Sequence, residues 1–198
     1  MAIQIIFATG NKGKLREAGE ILGHNYSLVS PKDLGITEDI PETGSTLKEN
    51  SLQKADYLYV RTGKNCFADD TGLEVDALDG APGVYTARYA GGEGHDFQAN
   101  MDKLLSELAK KPGCDRSARF VSVVTLILDG ETYFFEGEMK GKIAMSKAGC
   151  GGFGYDPVFI ADEYPDRTVA EITEEQKNAI SHRGKALRAM AEFLKNRK

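Results

Sequence analysis

The stretch from Phe120 to Met139 constrains the fold more than any other. Two β-rich runs, Phe120 to Leu128 and Glu131 to Met139, are separated only by Asp129-Gly130. A two-residue Asp-Gly loop supplies the positive φ angles of a turn whose twist matches paired strands, so the pattern predicts a hairpin. Around it, short apolar runs alternate with segments of helical period. Ile3 to Ala8 is continuous and apolar, as in a buried first strand, and Tyr26 to Val29 reads as a second. Between them Leu15, Ala18 and Leu22 recur at helical spacing, with Asn11 placed to cap the helix and Gly23 to end it. Thr46-Leu47-Lys48-Glu49 is a capping box. The helix it opens buries Leu47, Ser51, Ala55 and Leu58, turns Asn50, Gln53, Lys54, Tyr57 and Arg61 to another face, and closes at Gly63. Glu74 to Gly94 reads as loop. Asp96 then caps a helix carrying Phe97, Met101, Leu104, Leu105 and Leu108, and Ser181 caps a last one with Leu187, Met190, Ala191 and Leu194 aligned. With no internal repeat or linker, the pattern predicts an α/β fold with a mixed central sheet and flanking helices, residues 1–198 forming a single domain.

Composition removes several function classes. A formal charge of −5 argues against a general nucleic-acid binder, which carries a basic excess. No apolar run approaches the about 20 residues of a membrane span. Met1 to Phe7 has neither the basic start nor the cleavage site of a signal peptide. Cys66, Cys114 and Cys150 are unclustered, which suggests neither a disulfide framework nor a zinc site and fits a reducing cytoplasm.

Chemistry concentrates in a few stretches. Cys66-Phe67-Ala68-Asp69-Asp70-Thr71-Gly72-Leu73 delivers adjacent carboxylates at what reads as a strand end, followed by a hydroxyl and a glycine at which the backbone can turn. Paired carboxylates repel one another and lose hydration, and a hard cation such as Mg²⁺ relieves both. An ordinary surface turn is the plainer alternative. Thr9-Gly10-Asn11-Lys12-Gly13-Lys14 joins a strand to a helix start, where backbone amides and the helix dipole meet a phosphate; the alternative is a capped turn with two solvated lysines. It matches neither the P-loop nor the dinucleotide fingerprint. Gly149-Cys150-Gly151-Gly152-Phe153-Gly154-Tyr155-Asp156-Pro157 interleaves glycines with aromatic rings and an acid, which suits contact with a base or sugar better than a hinge. His182-Arg183 offers donors at a helix start. No nucleophile elbow or Ser/His/Asp set suggests acyl chemistry.

Five motifs in order resemble the inosine triphosphatase family. They are Thr9 to Lys14 with Glu17, Asp69-Asp70-Thr71-Gly72-Leu73, Gly80-Ala81-Pro82-Gly83 with Ala87-Arg88-Tyr89, Gly151 to Pro157, and Ser181-His182-Arg183. None is visibly broken. The resemblance implies an elongated two-lobed α/β fold with a cleft between the lobes, usually a homodimer. It implies hydrolysis of ITP, dITP and XTP between the α and β phosphates with Mg²⁺, giving a nucleoside monophosphate and pyrophosphate. By the same resemblance Asp70 is the general base, and Glu42, Asp69 and Asp70 hold the metal, with Glu38 and Asp39 as neighbours of Glu42 in one loop. Thr9, Gly10, Asn11, Lys12, Gly13 and Lys14 form the phosphate loop, Lys54 reaches the phosphates, and Thr71 touches substrate. Phe153, Gly154, Tyr155 and Asp156 hold base and sugar, completed by Lys177, His182 and Arg183. Rival readings are a pyrophosphatase for modified pyrimidine nucleotides and a nucleotide sensor that binds without cutting. A dinucleotide-binding fold is set aside because its glycine fingerprint is absent.

Overall fold

The computed structural model describes residues 2–92 and 96–197. Its chain divides into two compact units. The first comprises residues 1–70, 122–137 and 183–198, and the second residues 71–121 and 138–182. Three long strands, β3 (Cys66–Val75), β5 (Ser117–Leu128) and β6 (Glu131–Ile143), give part of their length to each.

In the first unit β1 (Ile3–Phe7) runs parallel to β2 (Tyr26–Val29) and to the start of β3, and the strand order is β2-β1-β3-β5-β6. Helices α1 (Lys12–Leu22), α2 (Leu47–Thr62) and α5 (His182–Asn196, from Arg183 onward) cover it. Strand alternation sorts the core into two layers. Ile5, Phe7 and Phe67 pack with Ala18 and Leu22 of α1 and Ala186, Leu187, Met190 and Leu194 of α5. Ile6, Cys66 and Ala68 pack with Ala55 and Leu58 of α2.

The local signals act as expected. The Asn11 side chain caps α1, and Thr46 and Glu49 form the reciprocal capping box of α2. Gly63 ends α2 in the left-handed region at φ 61°, and Asp129 and Gly130 take φ 53° and 84° in the hairpin turn.

In the second unit the order is β3-β5-β6-β7, with β7 at Phe159–Ala161 and the short β4 (Pro82–Gly83) antiparallel to β3. Helices α3 (Phe97–Ala109) and α4 (Glu174–Ile180) belong here. The core joins Leu73 and Val75 with Met101, Leu104 and Leu108 of α3 and with Phe120, Met139, Tyr155 and Phe159. Asp96 caps α3, although Phe97 stays exposed.

Two expectations need correction. Asp69-Asp70 is not at a strand end: β3 continues through Gly72 to Val75 because Leu73 and Glu74 pair with Gly83 and Pro82. The Leu73 amide also donates to Thr86 Oγ1 at 2.8 Å. For the same reason the stretch from Glu74 is not simply loop; it holds the end of β3, β4 and two 3₁₀ turns, while Glu93 and Gly94 lie outside the described residues.

Gly141 shows how tightly the second unit is packed. A Cβ there would sit 2.1 Å from the Ile160 carbonyl oxygen and 2.9 Å from Phe159 Cζ, where β6 meets β7. Gly19, inside α1, would meet nothing within 4 Å. We predict that Gly141→Ala lowers thermal stability, by roughly 1–3 kcal/mol as an overpacked site. Gly19→Ala should raise it by up to about 1 kcal/mol through helix propensity. Thermal melting of both variants checks the contrast; equal shifts would contradict it.

Candidate active site

Asp69 and Asp70 are consecutive on β3, so their side chains leave opposite faces of the sheet. Asp69 follows Phe67 toward α1 and α5, and Asp70 follows Ala68 toward α2. Each meets its own cation.

Asp69 is buried, with 2% of its surface exposed. Both its oxygens accept from Lys14 Nζ, at 3.0 and 2.8 Å. Burial alone would raise its pKa, but Lys14, Lys54 and Arg183 outweigh that and hold the carboxyl at about 2. Arg183 Nε in turn donates to Glu17 Oε2 at 2.9 Å, tying the first turn of α5 to α1. Lys14 and Arg183, expected on phosphate and base, are thus engaged within an ion-pair cluster.

Asp70 faces Lys54 and Asn50. Lys54 Nζ donates to Asp70 Oδ1 at 2.9 Å and to Glu42 Oε1 at 2.8 Å. Asn50 Nδ2 donates to Asp70 Oδ2 at 3.3 Å, while its Oδ1 accepts from the Gly44 amide at 2.8 Å. Burial pushes the Asp70 carboxyl above its ordinary value; Lys54 and Asn50 pull against this, and Glu42 adds to it. Lys54 stays firmly protonated: burial opposes its charge, but Asp70, Asp69 and Glu42 together raise its pKa.

Asn50 and Lys54, expected on a face of α2 apart from its buried one, are themselves buried. They lie one helical turn apart and share the face that meets Asp70. Asn50 was missed as a site residue, and its position four before Lys54 in the capped helix was the available signal. Of the loop carboxylates, Glu42 is the one that reaches Lys54, while Glu38 and Asp39 are exposed. Glu42, Asp69 and Asp70 are not gathered as one group. Among the described residues no three acidic, His or Cys side chains converge as a metal cluster.

In the segment expected to form a phosphate loop, Thr9 Oγ1 accepts from the Asn11 amide at 3.1 Å. Asn11 Oδ1 accepts from the Gly13 and Lys14 amides at 2.8 and 3.2 Å, so those two donors already cap the helix. Gly10 and Lys12 are exposed.

The second unit carries Thr71, Phe153, Gly154, Tyr155, Asp156, Lys177 and His182. Lys177 Nζ lies 4.3 Å from the centroid of the Phe153 ring, which is 60% exposed, and forms an ion pair with buried Asp156. Asp156 Oδ2 also accepts from the Phe153 amide at 2.8 Å. Gly152 permits this fold-back: it holds φ 74°, and a Cβ there would overlap Asp156 Oδ2 at 2.0 Å. Tyr155 is buried, and its hydroxyl donates to the Thr86 carbonyl at 2.9 Å. Its pKa is raised by burial, with Tyr89 adding to the effect. The His182 ring stacks on Phe120 with centroids 5.0 Å apart. Thr71 is half-buried on β3.

A Ham1 family profile matches residues 5–193. The chain belongs to the Ham1 family. It is 46% identical over 192 residues to a dITP/XTP pyrophosphatase of Flavobacterium johnsoniae, covering 97% of this chain and 98% of that one. With a dITP/XTP pyrophosphatase of Porphyromonas gingivalis the identity is 49% over 191 residues, covering 96% and 97%. The solved structure of the Staphylococcus aureus Ham1 protein superposes with a TM-score of 0.91 at 40% identity, covering 98% of this chain and all of that one. These likenesses agree with the family and the mixed α/β fold expected from the motifs.

The Asp69 cluster generates a stability prediction. A carboxyl whose folded pKa is depressed stabilises the fold above its unfolded pKa and loses that contribution as pH falls through the folded value. For Asp69, at about 2 when folded, the contribution is complete at neutral pH, declines below about pH 4 and is gone below about pH 2. Its size is on the order of 2–3 kcal/mol. Asp69→Asn should lower stability at pH 7 and flatten its decline between about pH 5 and 2, as read by denaturant unfolding. A variant with the wild-type slope would contradict this.

Proposed function

We propose that this chain hydrolyses nucleoside triphosphates whose purine carries an oxygen at position 6 and no exocyclic amino group (ITP, dITP and XTP). The products are the nucleoside monophosphate and pyrophosphate. The observation that carries this reading is the likeness, over 96–97% of the chain, to relatives named dITP/XTP pyrophosphatases.

The site chemistry supports it. Asp70 is a half-buried carboxylate with a raised pKa, a property that improves a general base at neutral pH. In the proposed step a water oxygen forms a bond to the α-phosphorus and its proton passes to Asp70. The bond from that phosphorus to the oxygen bridging to the β-phosphate breaks, and pyrophosphate leaves with the electron pair. Asn50 holds one Asp70 oxygen and thereby fixes the carboxylate's orientation. Lys12 and Lys54 supply positive charge for the phosphates, with Thr9, Gly10, Asn11, Gly13 and Lys14 as the loop beside them.

A divalent cation fits Glu42 and Asp70, because these two carboxylates already converge on one cation, the Lys54 ammonium. Mg²⁺ suits one or two carboxylates together with water and phosphate oxygens. Bound there it supplies charge neutralisation and polarisation of a phosphoryl oxygen. Asp69, turned to the opposite face, serves better as the counter-ion of Lys14.

For the base we propose Phe153 as stacking surface, Gly154, Tyr155 and Asp156 as its support, and Thr71, Lys177 and His182 as polar contacts; for Arg183, in the first unit, the family resemblance supports a part in substrate binding. Donors from these side chains match an oxygen at position 6 and leave an amino group there unpaired, a mismatch that buried sites reject strongly. A single two-lobed domain over 1–198, a homodimer and a cytoplasmic location complete the reading. They are supported by the family resemblance and, for the location, by three unpaired cysteines. The net charge of −5 speaks against nucleic acid as a partner. Among the described residues no helix is long and apolar enough to cross a membrane.

The test is pyrophosphate release from ITP, dITP, XTP, GTP, ATP and dUTP, with Mg²⁺ and then with EDTA. Release from the first three alone, lost with EDTA, is expected; equal release from ATP or from dUTP would overturn the substrate class. Asp70→Asn should keep nucleotide affinity and lose roughly 10²–10⁴-fold in turnover. Near-normal turnover would remove Asp70 from the role of base.

A further inference from the structure

We infer that Lys54 is the resting counter-cation of the carboxylate pair, so that arrival of a divalent cation between Glu42 and Asp70 and release of the Lys54 ammonium are one exchange. This rests on the reading of Glu42 and Asp70 as the metal-side carboxylates. All the groups involved lie in the first unit.

The arrangement holds the lysine in place from three sides. The capping box at Thr46 and Glu49 fixes where α2 begins, and hence the face on which Asn50 and Lys54 stand. The loop that carries Glu42 is tied back to the same helix: the Thr43 amide donates to Gln53 Oε1 at 2.9 Å and the Gly44 amide to Asn50 Oδ1 at 2.8 Å. Asn50 also holds the second oxygen of Asp70. Glu42 and Asp70 are thus set by helix α2 itself, with the ammonium of that helix between them at 2.8 and 2.9 Å. The Lys54 and Asp70 side chains are only 10% and 13% exposed, so their attraction is weakly screened, whereas Glu42, at 36%, is open to solvent and to an arriving cation.

Charge counting gives the consequence. One ammonium between two carboxylates leaves a local charge of about −1, and a divalent cation in its place leaves about zero. The released ammonium is then a cation needing a new anion, and a buried unpaired charge is costly. A triphosphate supplies that anion. Cation and nucleotide should therefore bind cooperatively, with the cation alone binding weakly, because Lys54 links the two events. Lys54 is here a positioning residue that couples occupancy of the site to substrate.

The experiment is calorimetric titration of the nucleotide-free protein with MgCl₂, comparing wild type with Lys54→Met and Lys54→Arg. Removal of the competing charge in Lys54→Met should tighten Mg²⁺ binding by about tenfold or more, equivalent to about 1.4 kcal/mol. Lys54→Arg, which keeps the charge, should bind as weakly as wild type. Equal or weaker binding by Lys54→Met would overturn the exchange. Wild-type protein gives a second reading that needs no variant. Acylation of lysines by acetic anhydride, followed by mass spectrometry, should be slow at Lys54 without metal and faster at a Mg²⁺ concentration that saturates the calorimetric titration; an unchanged rate would overturn the inference. Neither readout requires turnover, so a chain that releases no pyrophosphate defeats the proposed activity without deciding the exchange.

Discussion

The first unit depends on one constraint: adjacent residues of a strand face opposite ways. Two carboxylates side by side in sequence suggest a shared ligand, yet on β3 they are sent into different layers. Asp69 enters the layer of α1 and α5, and Asp70 enters that of α2. Neither can stay unpaired when buried. The sequence therefore needs a cation from each helical layer, and it has Lys14 on α1 and Lys54 on α2. The helices do more than cover the sheet; each brings the charge that lets its side of β3 carry an acid.

The two pairs differ in a way that matters for function. Asp69 is fully enclosed, receives both its bonds from one lysine and sits in the field of three cations, which hold it ionised down to about pH 2. That is a fixed structural pair. Asp70 shares its lysine with a loop carboxylate on a more exposed edge, and burial leaves its proton affinity raised. A carboxylate with a shared cation and a raised pKa is suited to take part in chemistry. Asp69, with both oxygens held by Lys14, is suited to tying α1 to β3.

What could be read from the sequence was what short range decides. The Asn11 cap, the Thr46-Glu49 box, the Gly63 stop and the Asp129-Gly130 turn are each satisfied by neighbours in the chain, so residue type and spacing suffice to find them. The continuation of β3 was not legible. Asp and Gly are poor strand residues, and pairing with β4 and β5, together with the Thr86 hydroxyl on the Leu73 amide, carries the strand past them. Nor was the burial of Asn50 and Lys54 legible, since polar side chains on a helix mark solvent unless a buried acid faces them. The motif order identified the family from the same residues and implied a base role for Asp70, but it placed Asp69 and Asp70 around one metal rather than in separate layers. That distinction is a matter of which face each occupies.

The second unit solves its own polar problem by a related device. Buried Asp156 accepts from the Phe153 amide and pairs with Lys177, and the same ammonium lies over the Phe153 ring. An exposed aromatic ring held this way has its backbone fixed by a carboxylate and its face occupied by a cation. The cation is donor-only and is anchored by its acid, so whatever meets the ring also meets a fixed positive donor. A flat base edged with carbonyl oxygens satisfies both features at once, whereas a base edged with amino groups satisfies only the stacking. The glycine at 152 is what allows the acid to fold back onto the Phe153 amide, since a Cβ at that position would overlap its Oδ2. The glycine density of this loop is therefore less a sign of flexibility than of how closely the backbone must approach the carboxylate that orders it.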